Sequence, residues 1–216
     1  MVNVLTVGFA FWYAGKKVES EICRPTNKFT HVFAPPGTGK TTLAAKIVRL
    51  NLKRNRTTYS NVKINGAYEF ELKDLGKTQF ENCTLIIDEA GQEVNNRDWK
   101  TNLNKKQLDF LKKHRHYNVD IYIISQAYDE TDKKFRDLTT ELWLLEKSWL
   151  PFFVAVKTIL KKIDVVEGEI LNYYYIPKFS TWRFFTPPNW AYFNTEEKNE
   201  PLPKKQDKMY TRNGLI

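Results

Sequence analysis

The chain has 216 residues, enough for one domain with a substantial core, and its 34 basic against 25 acidic residues leave a formal charge of +9. That balance favours polyanionic partners such as nucleic acid or anionic lipid, although pairs such as Lys105-Lys106, Lys112-Lys113 and Lys161-Lys162 also read as ordinary solvated faces. The two cysteines, Cys23 and Cys83, lie far apart without a CxxC pattern, so neither a disulfide framework nor a zinc site is indicated and a reducing compartment is expected.

The N-terminal run VNVLTVGFAFWYAG, residues 2–15, precedes Lys16-Lys17 and falls short of the roughly 20 apolar residues needed to cross a bilayer. It reads as a buried or interfacial segment, with a membrane contact or the stump of a longer membrane helix as alternatives. Residues 1–28 are accordingly set apart as a lead-in, and 29–150 are expected to form the core.

FTHVFA, 29–34, predicts a short strand that ends at Pro35-Pro36-Gly37. A helix is predicted from Lys40 to about Arg54, its apolar side supplied by Leu43, Ile47, Val48 and Leu50. TTYSNVKI, 57–64, reads as a second strand, and TLIID, 84–88, as a third without polar alternation, as befits a strand covered on both faces. A helix over 104–117 would set Arg115 at helical spacing from Leu108 and Leu111, on the apolar side. The strand DIYIIS follows and stops at Ser125-Gln126 rather than at a turn residue. A helix over 130–138 and a strand at ELWLLEK, 141–147, complete the core.

This alternation predicts an α/β fold, a mostly parallel central sheet flanked by helices. In 151–195 the pattern turns to β-branched and aromatic residues: FFVAVKTIL and EILNYYYI read as strands, with KKIDVVEG as a hairpin loop between them. This region is expected to be a C-terminal β-hairpin-like extension of the same domain. Residues 196–216 read as a flexible polar tail, mobile or bound to a neighbour.

APPGTGKT, Ala34 to Thr41, is a P-loop with alanine in place of its first glycine, set between a predicted strand and a predicted helix. Gly37 and Gly39 would let backbone N–H groups turn inward around phosphate oxygens, and the helix adds its positive dipole end. Pro36, Gly37, Thr38, Gly39, Lys40, Thr41 and Thr42 are the expected nucleotide-binding residues, with Lys40 on the β and γ phosphates and the Thr41 hydroxyl on Mg²⁺. TLIIDEA, 84–90, supplies Asp88 for the Mg²⁺ shell and Glu89 to orient or deprotonate the attacking water. Gln126, at the tip of the strand beside that acidic one, is expected to hydrogen-bond the γ-phosphate or the water. Arg115 is expected either to contact that network from within, to act as an arginine finger on an adjacent subunit, or to form a structural salt bridge; Arg97 and Arg136 are rival fingers. His114 and His116 are expected to pack or to meet phosphate, not to bind metal.

On these residues the sequence resembles the Zot-like (zonular occludens toxin-like) P-loop ATPases of filamentous phages, relatives of the FtsK/HerA DNA-translocating motors. The resemblance runs from about Phe29 to Lys147 and rests on the P-loop, RTTYSNV, LIIDEA and KKHRHYNVDIYIISQ. Small genome-packaging ATPases of tailless viruses share the Asp-Glu-Ala, Arg-His and terminal Gln features. The resemblance implies a Mg²⁺-dependent, ATP-driven assembly motor forming a homo-oligomer, with a ring as its expected form. It would act on viral DNA without regard to sequence, alongside other virion or assembly proteins, in the host cytoplasm, at the inner face of the cell membrane or at the virion. Lysines facing a central pore would track phosphates. Two readings from other classes compete: a small nucleoside or nucleotide kinase, against which the acidic strand end and the missing arginine-rich lid count, and a nucleotide-gated membrane-associated scaffold that barely turns over. Tyr173 to Tyr175 and Trp182 to Phe185 are read as sheet packing or subunit contact.

Overall fold

The structure is a computed structural model that describes residues 26–88, 105–128, 131, 133–166, 169–193, 210–211 and 214–215, with only the backbone at 133, 161–166, 169–180, 210–211 and 214–215. The N-terminal run, Glu89, Arg97 and almost all of the polar tail lie outside the described residues.

Six parallel strands make up most of the sheet: β1 (Phe29–Phe33), β2 (Thr57–Ser60), β3 (Tyr68–Glu69), β4 (Cys83–Asp88), β5 (Asp120–Ser125) and β6 (Glu141–Lys147). Antiparallel β7 (Phe153–Val166) and β8 (Glu169–Phe185) extend it beyond β6, so the spatial order is β3-β2-β4-β5-β1-β6-β7-β8. Tyr210–Thr211 and Gly214–Leu215 form a separate two-stranded ladder, β9 and β10. The α-helices among the described residues are α1 (Lys40–Leu52), α2 (Lys105–Lys113) and α3 (Lys133–Leu138).

The central strands read as apolar runs because each face is covered. Strand alternation sends Val32, Ile86, Tyr122 and Ile124 into one layer with Leu43, Ala44, Ile47 and Val48 of α1, continued by Trp143, Trp182 and Phe184 of the outer strands. The opposite parity, Phe29, Leu85, Ile87, Ile121 and Ile123, packs with Phe110 and Leu111 of α2 and Phe135 of α3. Trp182 and Phe184 are buried while Arg183 and Phe185 are exposed, the period-2 pattern of sheet packing expected for that stretch.

Two expectations need correcting. The helix predicted over 104–117 ends at Lys113, and His114–Tyr117 form a 3₁₀ turn closed by Asn118 at φ 55°. Winding at 3.0 instead of 3.6 residues per turn shifts the phase. It is therefore His114 that turns inward, its ring nitrogens on the carbonyls of Leu111 (2.7 Å) and Asn27 (3.1 Å), while Arg115 is exposed. Second, the stretch KKIDVV belongs to β7 and leaves only two residues between the hairpin strands, with register shifts between Lys157 and Ile159 and between Asp164 and Val165. Its β-branched Ile163, Val165 and Val166 suit a strand, and continuing the ladder pairs backbone groups that a loop would leave to water.

The end of the sheet where β4 and β5 begin is tied together by a charge that the sequence left unremarked. Arg56, just ahead of β2, donates through Nη2 to the Cys83 and Asn118 carbonyls (each 2.7 Å) and to Asp120 Oδ2 (2.9 Å), and through Nε to Thr84 Oγ1 (3.2 Å). The other Asp120 oxygen accepts the backbone N–H groups of Thr26 and Lys28. Three strands and the lead into β1 thus meet on one buried ion pair, satisfied as such pairs must be to be tolerated.

Candidate functional site

Between β1 and α1 the chain makes a turn that needs glycine at two points: Gly37 has φ 71° and Gly39 φ 104°, both in the region that side chains other than glycine resist. Gly39 is also hemmed in, because a Cβ there would lie 2.9 Å from Val154 Cγ2 of β7. The Thr38 hydroxyl donates to the Pro35 carbonyl at 2.7 Å and pins the loop internally. Lys40 Nζ donates to the carbonyls of Ala34 (2.6 Å) and Pro35 (3.3 Å), so its ammonium lies along the inside of the turn. Gly39 supplies no side-chain cap, and the first-turn N–H groups of α1, which no helix can satisfy internally, point to the loop. Pro36 has no N–H to give, but the backbone from Gly37 to Thr42 offers donors of the kind a phosphate chain takes.

The strand order sets the acidic group. β5 lies between β1 and β4, with Ile124 paired to Asp88 on one side and Ser125 to Phe33 on the other. Asp88 is therefore two strand spacings from the P-loop strand, roughly 10 Å. It shares the parity of Ile86, which faces α1, the helix that carries Thr41. Asp88 is buried, and its backbone is gripped by a residue not singled out in the sequence. Asn61, where the chain leaves β2, accepts the Asp88 N–H (2.7 Å) and donates to the Asp88 carbonyl (2.8 Å). A hydroxyl from Thr41 and a carboxylate from Asp88 are the hard oxygen donors that Mg²⁺ takes, so this donor set fits the ion.

Gln126 is exposed one residue beyond β5, next in the alternation that puts Tyr122 and Ile124 on the α1 face. The Ala34 N–H reaches the Ser125 carbonyl at 3.4 Å, so the start of the P-loop is attached to the strand end that carries Gln126. Beneath that end lies His31, fully buried on β1. Its Nε2 meets Ser125 Oγ (2.8 Å) and Thr131 Oγ1 (3.1 Å), and Ser125 Oγ donates onward to the Ala127 carbonyl (2.9 Å). Burial, with the charge of Arg136 adding to it, lowers the His31 pKa to about 4, so the ring is neutral at neutral pH. Tyr128 covers His31, with ring centroids 5.2 Å apart, and Arg136 of α3 lies over Tyr128 at 5.6 Å.

The arginines separate by position. Arg115 precedes β5, whereas Gln126 follows it, and six strand residues between them amount to roughly 20 Å. Within one chain Arg115 is at the wrong end of the sheet to contact the Gln126 network from within, which corrects that expectation. Arg136 sits against the loop that follows Gln126. Glu89 succeeds Asp88 directly but, like Arg97, is outside the described residues. His114 packs, as one of its two expected roles had it, and among the described residues no cluster of His, Cys, Asp and Glu could hold a metal on protein ligands alone. No helix of the described residues is long and apolar enough to cross a membrane.

A signal for Asn61 was present in RTTYSNV, where a polar residue closes a strand just as Asp88 and Gln126 close theirs. His31 and Arg56 offered none, because their partners lie 94 and 64 residues away.

The family described as Zonular occludens toxin (Zot) matches residues 38–148, just over half of the chain. Among solved structures, the N-terminal domain of zonular occludens toxin from Neisseria meningitidis is similar with a TM-score of 0.43 at 14% identity, covering 76% of this chain and 97% of that one. The genome packaging NTPase B204 from Sulfolobus turreted icosahedral virus 2, in complex with ATP-gammaS, gives 0.42 at 10% identity over 62% and 92%. The flagellar accessory protein FlaH from Methanocaldococcus jannaschii gives 0.41 at 14% identity over 72% and 88%. No curated protein matches the sequence. The roles of individual residues therefore rest on the geometry of this chain.

Proposed function

The chain belongs to the zonular occludens toxin (Zot) family, and from that premise we propose that it is an ATP-hydrolysing motor of phage or virus morphogenesis that couples hydrolysis to movement of viral DNA. The observation that carries the reading is the sheet order: the strand ending in Gln126 runs between the P-loop strand and the strand ending in Asp88. One polar tip is thereby flanked by the phosphate cradle and by the acidic end.

Backbone amides of the Gly37–Thr42 turn bind the phosphates, and Lys40 leaves the Ala34 and Pro35 carbonyls to reach the β and γ groups. The Thr41 hydroxyl and the Asp88 carboxylate are the residues that would hold Mg²⁺, which when bound neutralises phosphate charge. Asn61 keeps the Asp88 backbone in place. Glu89 orients the water and takes its proton, and Gln126 hydrogen-bonds the water or the γ-phosphate. Because the loop after Gln126 is bonded through Ser125 to the His31 cluster, loss of the γ-phosphate is relayed into the body of the fold. Arg115, remote from its own P-loop, serves only across an interface between copies, where Arg97 and Arg136 compete for the same role. A homo-oligomeric ring brings such an arginine to a neighbour's phosphates and presents lysines to DNA without reading its sequence. Work in the host cytoplasm, at the membrane face or at the virion, beside other assembly proteins, fits this activity.

The test is ATP turnover by the assembled protein with and without single- and double-stranded DNA. Stimulation by DNA is expected, and the strand form that stimulates distinguishes extrusion from packaging. Lys40→Ala should lower turnover by about 10²-fold or more, and Glu89→Gln should retain ATP while losing hydrolysis. Normal turnover in Glu89→Gln, or turnover indifferent to any DNA, would remove the motor assignment.

A further inference from the structure

Among the described residues five large apolar side chains are exposed, and two of them, Phe152 (60%) and Trp190 (50%), stand against each other. Trp149 and Phe152 lie in the turn from β6 to β7. Trp190 lies in the 3₁₀ segment Pro187–Tyr192 that follows β8, and its ring is 6.2 Å from that of Phe152. The exposure is enforced. Phe152 holds φ 63°, a left-handed conformation that a bulky residue adopts only under constraint. Thr186 supplies the constraint by donating both its N–H and its hydroxyl to the Phe152 carbonyl, each at 2.9 Å. Backbone strain of this kind clusters at ligand clamps and other functional sites.

The location identifies what is presented to. Val154, two residues beyond Phe152, is the side chain that crowds Gly39, so the aromatic pair stands within a few residues of the phosphate cradle. A nucleoside triphosphate bound there has a fixed direction. Its γ-phosphate faces Asp88 and Gln126, on the β5 and β4 side of β1, so its nucleoside must leave on the opposite side, toward β6 and β7. The Phe152–Trp190 pair lies on that side, in the β6–β7 turn and the segment just after β8.

We propose that Phe152 and Trp190 form the platform on which the base of the bound nucleotide stacks. Resting on the P-loop reading above, the assignment adds the part of the ligand that the glycine turn cannot recognise. Stacking accepts any base with a π-face, so the platform contributes affinity more than choice of base. The base is favoured over single-stranded DNA or a second copy of the chain because Phe152 is two residues from Val154, the side chain that crowds Gly39, on the side where the nucleoside emerges.

The experiment is calorimetric titration of the full-length chain, with Mg²⁺, against ATP and against inorganic tripolyphosphate, which occupies the cradle but has no base. Trp190→Ala and Phe152→Ala should each weaken ATP about tenfold or more and leave tripolyphosphate unchanged, while Trp190→Phe should retain most of the ATP affinity. Both side chains are exposed, so neither variant endangers folding, and unchanged tripolyphosphate binding verifies this. Unaltered ATP affinity in both alanine variants would overturn the proposal. So would losses confined to single-stranded DNA binding or to self-association, which would reassign the platform to those partners. A wild-type chain that binds neither ligand defeats the P-loop reading itself, an outcome distinct from failure of the platform alone.

Discussion

Replacing Arg56 by methionine keeps the aliphatic stem and removes the guanidinium from the closed end of the sheet. Arg56 and Asp120 have side chains only 8% and 5% exposed. After the change Asp120 keeps two donors, the N–H groups of Thr26 and Lys28, and the Cys83 and Asn118 carbonyls each lose the donor at 2.7 Å. A buried carboxylate stripped of its partner costs about 3–5 kcal/mol. At about 2–4 °C per kcal/mol for a chain of this size, the melting temperature should fall by roughly 10 °C. Urea unfolding followed by circular dichroism measures the loss directly. Asp120→Asn removes the stranded charge, so in the Arg56→Met background it should restore part of the stability. The double mutant should thus be less destabilised than the sum of the singles by more than about 1 kcal/mol. A loss below about 1 kcal/mol in Arg56→Met, or strict additivity, would show that this pair does not hold the strands together.

The remaining predictions concern the other buried groups. His31 has its pKa lowered from 6.5 to about 4, so between these values the unfolded chain carries a proton that the folded chain lacks; stability is full above pH 6.5 and is lost as pH falls toward 4, by up to about 3 kcal/mol. Stability measured from pH 4 to pH 7 should lose most of this slope in His31→Asn, and an unchanged slope would contradict the assignment. Asn61→Ala leaves the Asp88 N–H and carbonyl without their side-chain partners, which should cost about 1–3 kcal/mol and slow ATP hydrolysis more than it weakens ATP binding; equal effects on both would argue against a positioning role. Burial pushes the Cys83 thiol up to about 12, against the opposing pull of Arg56, so alkylation at pH 8 followed by peptide mass spectrometry should find Cys83 unmodified until the chain is unfolded.

Much of the candidate site was legible because its parts are local. The glycines, Lys40 and Thr41 stand consecutively, and their chemistry depends on one turn and one helix start. Asp88 and Gln126 were readable for a similar reason: each follows an apolar run, and in a parallel sheet with both faces covered such runs end at the ligand edge. The boundaries of α2 and β7 were less legible, since a 3₁₀ turn and a continued ladder are chosen by tertiary partners, His114 against Asn27 in one case and β8 in the other.

The sequence by itself determined that a glycine turn joins a strand to a helix and that an acidic strand and a glutamine-tipped strand accompany it. The tertiary structure alone decided which strands are neighbours. That order put Gln126 between the glycine turn and the Asp88 carboxylate, sent Arg115 to the far end, and brought Asn61 to Asp88 and His31 to the strand end that carries Gln126. Turn chemistry acts over a few residues, whereas strand order is settled by burial across the whole sheet, between residues that no local pattern relates.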